Sequence, residues 1–123
     1  MRLFLSGRMR SVGCAVDGIV YLVRSQRNAW VHLLASVAVI GMGCALRLSV
    51  REWCWIVAAM AGVWVAEAMN TAVEVLCDVV CAERHEGIGR VKDVAAGGVL
   101  MAAGFAGVIG VVVMGPRLLV YQW

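Results

Sequence analysis

The stretch Glu67-Ala-Met-Asn70-Thr71-Ala-Val-Glu74-Val-Leu-Cys77-Asp78 sets three carboxylates and one amide inside an apolar run that reaches from Trp53 to Cys81. The polar residues are separated by steps of 3, 4 and 4. On an α-helix, at about 100° per residue, Glu67, Asn70, Glu74 and Asp78 fall within roughly 80° of one another. The run is long enough to cross a bilayer, so the stripe lies at membrane depth. A charge at the bilayer centre costs roughly 2.5–3.5 kcal/mol on insertion scales, and such residues usually face a protein interior or a water-filled site. A buried polar network would be the plain reading. Three acids with one amide near them cannot satisfy one another, however. They need protons, a metal, or cations from elsewhere in the chain, and this favours a site over simple packing.

The rest of the composition agrees with a membrane setting. The 123 residues are 63% hydrophobic and 15% charged, and the mean hydropathy is +0.87. A soluble domain of this size carries more charge and shorter apolar runs. The chain is long enough for one domain, residues 1–123, and shows no internal repeat, linker or low-complexity segment. The net charge of +3 is no sign of nucleic-acid binding, because the 11 basic residues are spread along the chain. Arg2, Arg8, Arg10, Arg24 and Arg27 precede the first span, and Arg84, Arg90 and Lys92 follow the second. Only Arg47 and Arg51 lie in the turn between those spans, with Arg117 near the end. The positive-inside rule then places the N-terminus and the Ala82–Val91 loop in the cytoplasm. The five cysteines are odd in number and form no CxxC, so they read as small hydrophobes. No signal peptide is expected, since Leu3-Phe4-Leu5 is cut short by Ser6-Gly7-Arg8.

In chain order, residues 8–27 predict an amphipathic helix lying on the membrane surface. Val12, Val16, Ile19, Val20 and Val23 make its apolar face, and Arg10, Asp17 and Arg24 recur on another. A first span is expected over about 29–48, with Trp30 as an interfacial anchor and His32 as a packing or helix-end residue. Ser49-Val50-Arg51-Glu52 reads as a short outer turn. A second span is expected over about 53–81, with Trp53 and Trp55 as outer anchors and Trp64 packed on a neighbouring helix. Ala82 to Arg90 reads as a polar loop. A third span is expected over about 92–114, ended by Pro116, with Tyr121 and Trp123 at the outer interface. Its Gly97, Gly98, Ala102, Ala103, Gly104, Ala106, Gly107 and Gly110 predict close packing against other helices. The fold class is thus an all-α membrane protein with a surface helix and three transmembrane helices.

Acids that can hold Mg²⁺ beside cations that can hold phosphate suit phosphoryl transfer, which works by positioning and charge neutralisation. There is no Walker A motif, Lys92 is the only lysine, and Gly87-Ile-Gly89 fits no standard phosphate loop. Spacing alone leaves a transporter or proton relay equally open.

The pattern Glu67-x-x-Asn70-Thr71-Ala-Val-Glu74-x-x-x-Asp78, then Glu83-x-His85, then Lys92-Asp93-x-Ala95-Ala96, closely resembles the small bacterial membrane kinases of the diacylglycerol kinase/undecaprenol kinase family. Ala15-x-x-Gly18-Ile19 and Arg27-Asn28-x-x-x-His32 also resemble that family and lean towards its undecaprenol kinase branch. The match covers nearly the whole chain. The resemblance implies a homotrimer with active sites shared between subunits, in the bacterial inner membrane, using MgATP to phosphorylate a lipid hydroxyl. It implies that Glu67 is the catalytic base and that Asn70 orients the site. It implies that Glu74 binds Mg²⁺ and contacts ATP. It assigns Glu83, His85, Lys92, Asp93, Gln26 and Cys14 to the ATP site and Arg10, Glu67 and Asn28 to the lipid substrate, with Asp78 holding the loop or a nearby cation. One departure stands out. The family's usual Glu before the Arg-Asn pair, a second metal ligand, is Gln26 here. Gln offers a carbonyl oxygen to Mg²⁺ but neutralises none of its charge.

The leading expectation is undecaprenol phosphorylation, with diacylglycerol as the close alternative. A non-catalytic membrane assembly protein of the same fold has only Gln26 in its favour. An ion transporter would need mid-depth acids on more than one span, and the first and third have none.

Overall fold

The computed structural model describes residues 2–81, 83 and 85–120, and within these the side chains of residues 9–119. The expectations for Arg84, Tyr121 and Trp123 lie outside the described residues. Among the described residues four helices follow one another: α1 (Arg2–Ser25), α2 (Arg27–Ala45), α3 (Val50–Val80) and α4 (Glu86–Val120). The last three are each long and apolar enough to cross a membrane. α3 and α4 form the principal antiparallel pair, and α2 and α1 pack on it less extensively.

The turn between α2 and α3 is built tightly. Leu48 N–H bonds to Gly43 C=O and Arg47 N–H to Cys44 C=O, both at 3.1 Å. These two bonds with Arg47 at φ 51° form a Schellman motif, with arginine where glycine is usual. Ser49 then caps α3 in a full capping box with Glu52. The expected turn Ser49–Glu52 is therefore corrected: α3 begins at Val50, because the Ser-x-x-Glu spacing supplies the cap. Below this turn sits the apolar cluster of Leu46, Leu48, Ile56 and Met114, flanked by Val39, Trp53, Met60, Ile109 and Val113.

α4 differs from expectation at both ends. It starts at Glu86, six residues before Lys92, with an Arg90–Glu86 ion pair one turn apart. It also continues through Pro116. Proline there removes only one N–H near the helix end, and the next residue is anchored. Arg117 donates to both oxygens of Glu52, from Nε at 3.1 Å and from the terminal guanidinium at 2.8 Å, tying the end of α4 to the start of α3. Within one chain the glycines of the α4 stripe are not points of close helix approach. A Cβ added at Gly97, Gly98, Gly104, Gly107 or Gly110 would meet nothing within 4 Å. The close approach is at Gly43 of α2 instead, under the ring of Trp53. On α1, Val12, Val16, Ile19 and Val20 remain exposed, and Leu22 is buried.

Candidate active site

α3 supplies the centre of the site. Glu67 is 1% exposed, Asn70 4% and Thr71 5%. The acids that cannot satisfy one another along the helix each face a side chain from outside α3. Glu67 faces His32 of α2, with Nε2 and Oε2 3.7 Å apart. Glu74 accepts from Gln26 Nε2 at the start of α2 (3.0 Å) and from Asn70 Nδ2 one turn back (3.1 Å). Asp78 accepts from Lys92 of α4. Three further buried acceptors, both oxygens of Glu67 and Oδ1 of Asn70, find no hydrogen-bond donor among the described residues, nor does Thr71 Oγ1. Unpaired buried acceptors are costly to keep, and clusters of them mark places where a hydroxyl or cation is received.

Among the described residues, three of the cavities succeed one another along the helices. The first, about 420 Å³, is polar and lined by Asp78, Cys81, Glu83, His85, Glu86 and Lys92, among others. The second, about 290 Å³, is lined by Asn28, His32, Glu67, Asn70 and Glu74, and by α4 residues from Ala96 to Ala103. Glu74 and Asp78 are one turn apart on α3, about 6 Å, so the first two cavities are stacked. The third, about 540 Å³, is apolar, runs between α2, α3 and α4 as far as Met114 and Leu118, and shares His32 and Ala103 with the second.

The structure therefore gathers Glu67, Asn70, Glu74, Asn28 and Gln26 around the middle cleft, and Asp78, Glu83, His85 and Lys92 around the polar cavity above it. Arg10, Cys14 and Asp93 stand exposed and line neither cavity. Sequence reading passed over His32 as a packing residue. Its partner Glu67 lies on another helix, so no local spacing announced the pair. Trp64 packs on a neighbouring helix as expected, and its partner there, Ser36 of α2 at 3.1 Å, was hidden in the same way.

Mg²⁺ fits the donor set. The Glu74 carboxylate lies against two side-chain amides, each carrying an oxygen, and Asn70 Oδ1 is buried without a donor among the described residues. Mg²⁺ takes oxygen ligands, often one or two carboxylates with substrate phosphates for the rest. Among the described residues no group of three or more His, Cys, Asp or Glu could hold a metal alone, so the phosphates would have to contribute.

Residues 13–114 match the family model described as prokaryotic diacylglycerol kinase. The chain belongs to this family. It is also 34% identical over 101 residues to the undecaprenol kinase of Bacillus subtilis (strain 168), covering 82% of each chain. The protein is thus a membrane-embedded lipid kinase, with family likeness running from the middle of α1 nearly to the end of α4. Arg10 falls just outside the matched residues, and its assignment to the lipid has only the looser resemblance behind it.

Proposed function

We propose that this lipid kinase transfers the γ-phosphoryl group of ATP to undecaprenol, with Glu67 as the base. The observation that carries the reading is the order of the cavities: polar, then acidic and unpaired, then apolar. ATP would enter the polar cavity, with Lys92, His85 and Glu83 around its phosphates and nucleotide. Glu74 and Gln26 would hold Mg²⁺, which when bound offsets the charge of the phosphates. The lipid chain would lie in the apolar cavity beside α4, bringing its hydroxyl to Glu67 near Asn28. The hydroxyl oxygen forms a bond to the γ-phosphorus, Glu67 takes the hydroxyl proton, and the bond from the γ-phosphorus to the bridging oxygen breaks to release ADP. Asn70 orients Glu74, and Asp78 steadies Lys92. Because the transition state is loose, positioning supplies most of the rate.

The named activity of the relative favours undecaprenol. The description of the family model keeps diacylglycerol as the second reading. Arg10, Cys14 and Asp93 lie outside the cavities of a single chain, which supports a homotrimer whose copies complete each other's sites. The exposed Val12, Val16 and Ile19 suit α1 lying on the cytoplasmic face of the inner membrane, all within one domain. A fully active monomer in native-lipid particles would count against the shared site.

The test is phosphoryl transfer from MgATP to undecaprenol and to diacylglycerol at matched surface concentration in the same mixed micelles. Glu67→Gln protein is the blank. Faster transfer to undecaprenol, absent from the blank and from reactions with EDTA, is the expected result. Preference for diacylglycerol keeps the mechanism and changes the substrate. Transfer to neither, from folded protein, overturns the reading.

A further inference from the structure

His32 enters the cleft from α2, with Ser36 bonded to its main chain and Trp64 beside its ring. Ser36 Oγ donates to His32 C=O at 2.7 Å. Trp64 Nε1 donates to Ser36 Oγ at 3.1 Å. The Trp64 ring meets the imidazole edge-on, with centroids 6.4 Å apart and planes at 67°. Trp64 thus joins α3 to α2 through Ser36 and lies against the imidazole on the α2 side of the cleft, at the level where Glu67 is buried.

The surroundings of Glu67 leave His32 without a rival. Neither Glu67 oxygen has a hydrogen-bond donor among the described residues. The cleft draws Asn28, Val31 and His32 from α2, Glu67, Asn70 and Glu74 from α3, and only Ala96, Val99, Leu100 and Ala103 from α4. Its titratable groups are therefore His32, Glu67 and Glu74. Glu74 already accepts from two amides, and Asn70 spends its NH₂ on Glu74. His32 Nε2 lies 3.7 Å from Glu67 Oε2, in ion-pair range and a small adjustment from a hydrogen bond. Catalytic hydrogen bonds often tighten only when substrate is bound.

We infer that His32 is the positioning residue for Glu67, aiming the buried carboxylate at the lipid hydroxyl, with the Trp64 indole set edge-on against the imidazole. The inference rests on the lipid-kinase reading with Glu67 as base. His32 makes and breaks no covalent bond. The hydroxyl proton still goes to Glu67 and ADP still leaves. Its place on the boundary of the catalytic and apolar cavities puts it where the lipid chain ends and the hydroxyl begins.

A packing role and a positioning role predict opposite orders for two substitutions. Leucine fills an apolar groove but donates nothing. Glutamine packs poorly there, yet its Nε2 falls near the position of the imidazole Nε2 and donates. kcat and the KM for ATP are measured with the preferred lipid for wild type, His32→Leu, His32→Gln and Glu67→Gln. The expected result is a fall in kcat of about 10- to 100-fold in His32→Leu, the size of one charge-assisted hydrogen bond. Substantial recovery is expected in His32→Gln, with the KM for ATP unchanged in both. If His32→Leu does not fold, His32→Asn replaces it. Its shorter amide falls short of Glu67, and it should be slower than His32→Gln. Wild-type kcat in His32→Leu, or glutamine no better than leucine or asparagine, overturns the inference while a dead Glu67→Gln leaves the base assignment standing. An active Glu67→Gln overturns both.

Discussion

Gln26 Nε2 donates to Glu74 Oε2 at 3.0 Å, joining the N-cap of α2 to α3 across 48 residues of sequence. An N-cap side chain ordinarily bonds its own helix, but Gln26 makes no such bond. Its amide is committed to Glu74 instead. Glu74 therefore has neutral donors on both oxygens, a pairing that a second carboxylate would turn into repulsion. Gln26→Glu should accordingly lower the thermal midpoint in EDTA and raise the stabilisation that Mg²⁺ confers. The half-saturating Mg²⁺ concentration for activity should fall by about fivefold, equivalent to roughly 1 kcal/mol of added charge attraction. Activity titrated with Mg²⁺ at fixed ATP checks this. An unchanged Mg²⁺ dependence would mean that the missing charge is supplied elsewhere, by Asp93 or by ATP.

Glu67 combines near-complete burial with two oxygens that have no hydrogen-bond donor among the described residues. That is a poor arrangement for stability and a good one for a base awaiting a hydroxyl. Leaving a buried acceptor unsatisfied costs about 1–3 kcal/mol. Glu67→Leu should therefore raise the thermal midpoint in detergent while abolishing lipid phosphorylation, the usual trade of stability against function at an active site. A Glu67→Leu protein less stable than wild type would show that the His32 contact outweighs the unpaired oxygens.

The stripe on α3 was legible because its information is local. Steps of 3 and 4 within one apolar run place Glu67, Asn70, Glu74 and Asp78 on one face whatever packs there. The three spans were legible from length and hydropathy. The partners were not, because His32 is 35 positions from Glu67 and Gln26 is 48 from Glu74, and such pairings exist only once helices are packed. Pro116 misled for a related reason. Proline usually stops a helix, and the Arg117–Glu52 anchor that carries α4 onward joins residues 65 positions apart. The glycines of α4 suggested a packing face, yet among the glycines of the described residues the close interhelical approach is at Gly43, in the Gly41-Met-Gly43 end of α2 that sequence reading did not single out.

Lys92 reaches from α4 to Asp78 on α3 at the mouth of the polar cavity. Asp78 is well exposed in this pair, and exposed ion pairs contribute little to stability. The pair therefore serves to hold the ammonium in place. Lys92→Ala should raise the KM for ATP by about tenfold or more, on the scale of one lost charge-assisted phosphate contact. The thermal midpoint should hardly change. Asp78→Asn, which keeps an acceptor but loses the charge, should raise the KM for ATP less than Lys92→Ala does. Initial rates against ATP concentration for the three proteins decide it. Equal effects of the two substitutions would point to a role for Asp78 beyond holding Lys92.

Gly43 is where α2 admits the indole of Trp53. A Cβ added there would lie 2.8 and 2.9 Å from two ring carbons of Trp53 and 3.1 Å from Leu48 Cδ1. Both neighbours belong to the apolar cluster that closes the α2–α3 turn, and a bulky ring wedged between helices cannot give way cheaply. Overpacking of this kind costs about 1–3 kcal/mol, so Gly43→Ala should lower the thermal midpoint by several degrees. Trp53→Phe, with a shorter ring, should be mildly destabilising alone and should recover most of the loss when combined with Gly43→Ala. The coupling in this double-mutant cycle is the diagnostic quantity. Additive losses would mean that the backbone of the turn moves to accept the methyl group and that the indole is not what excludes it.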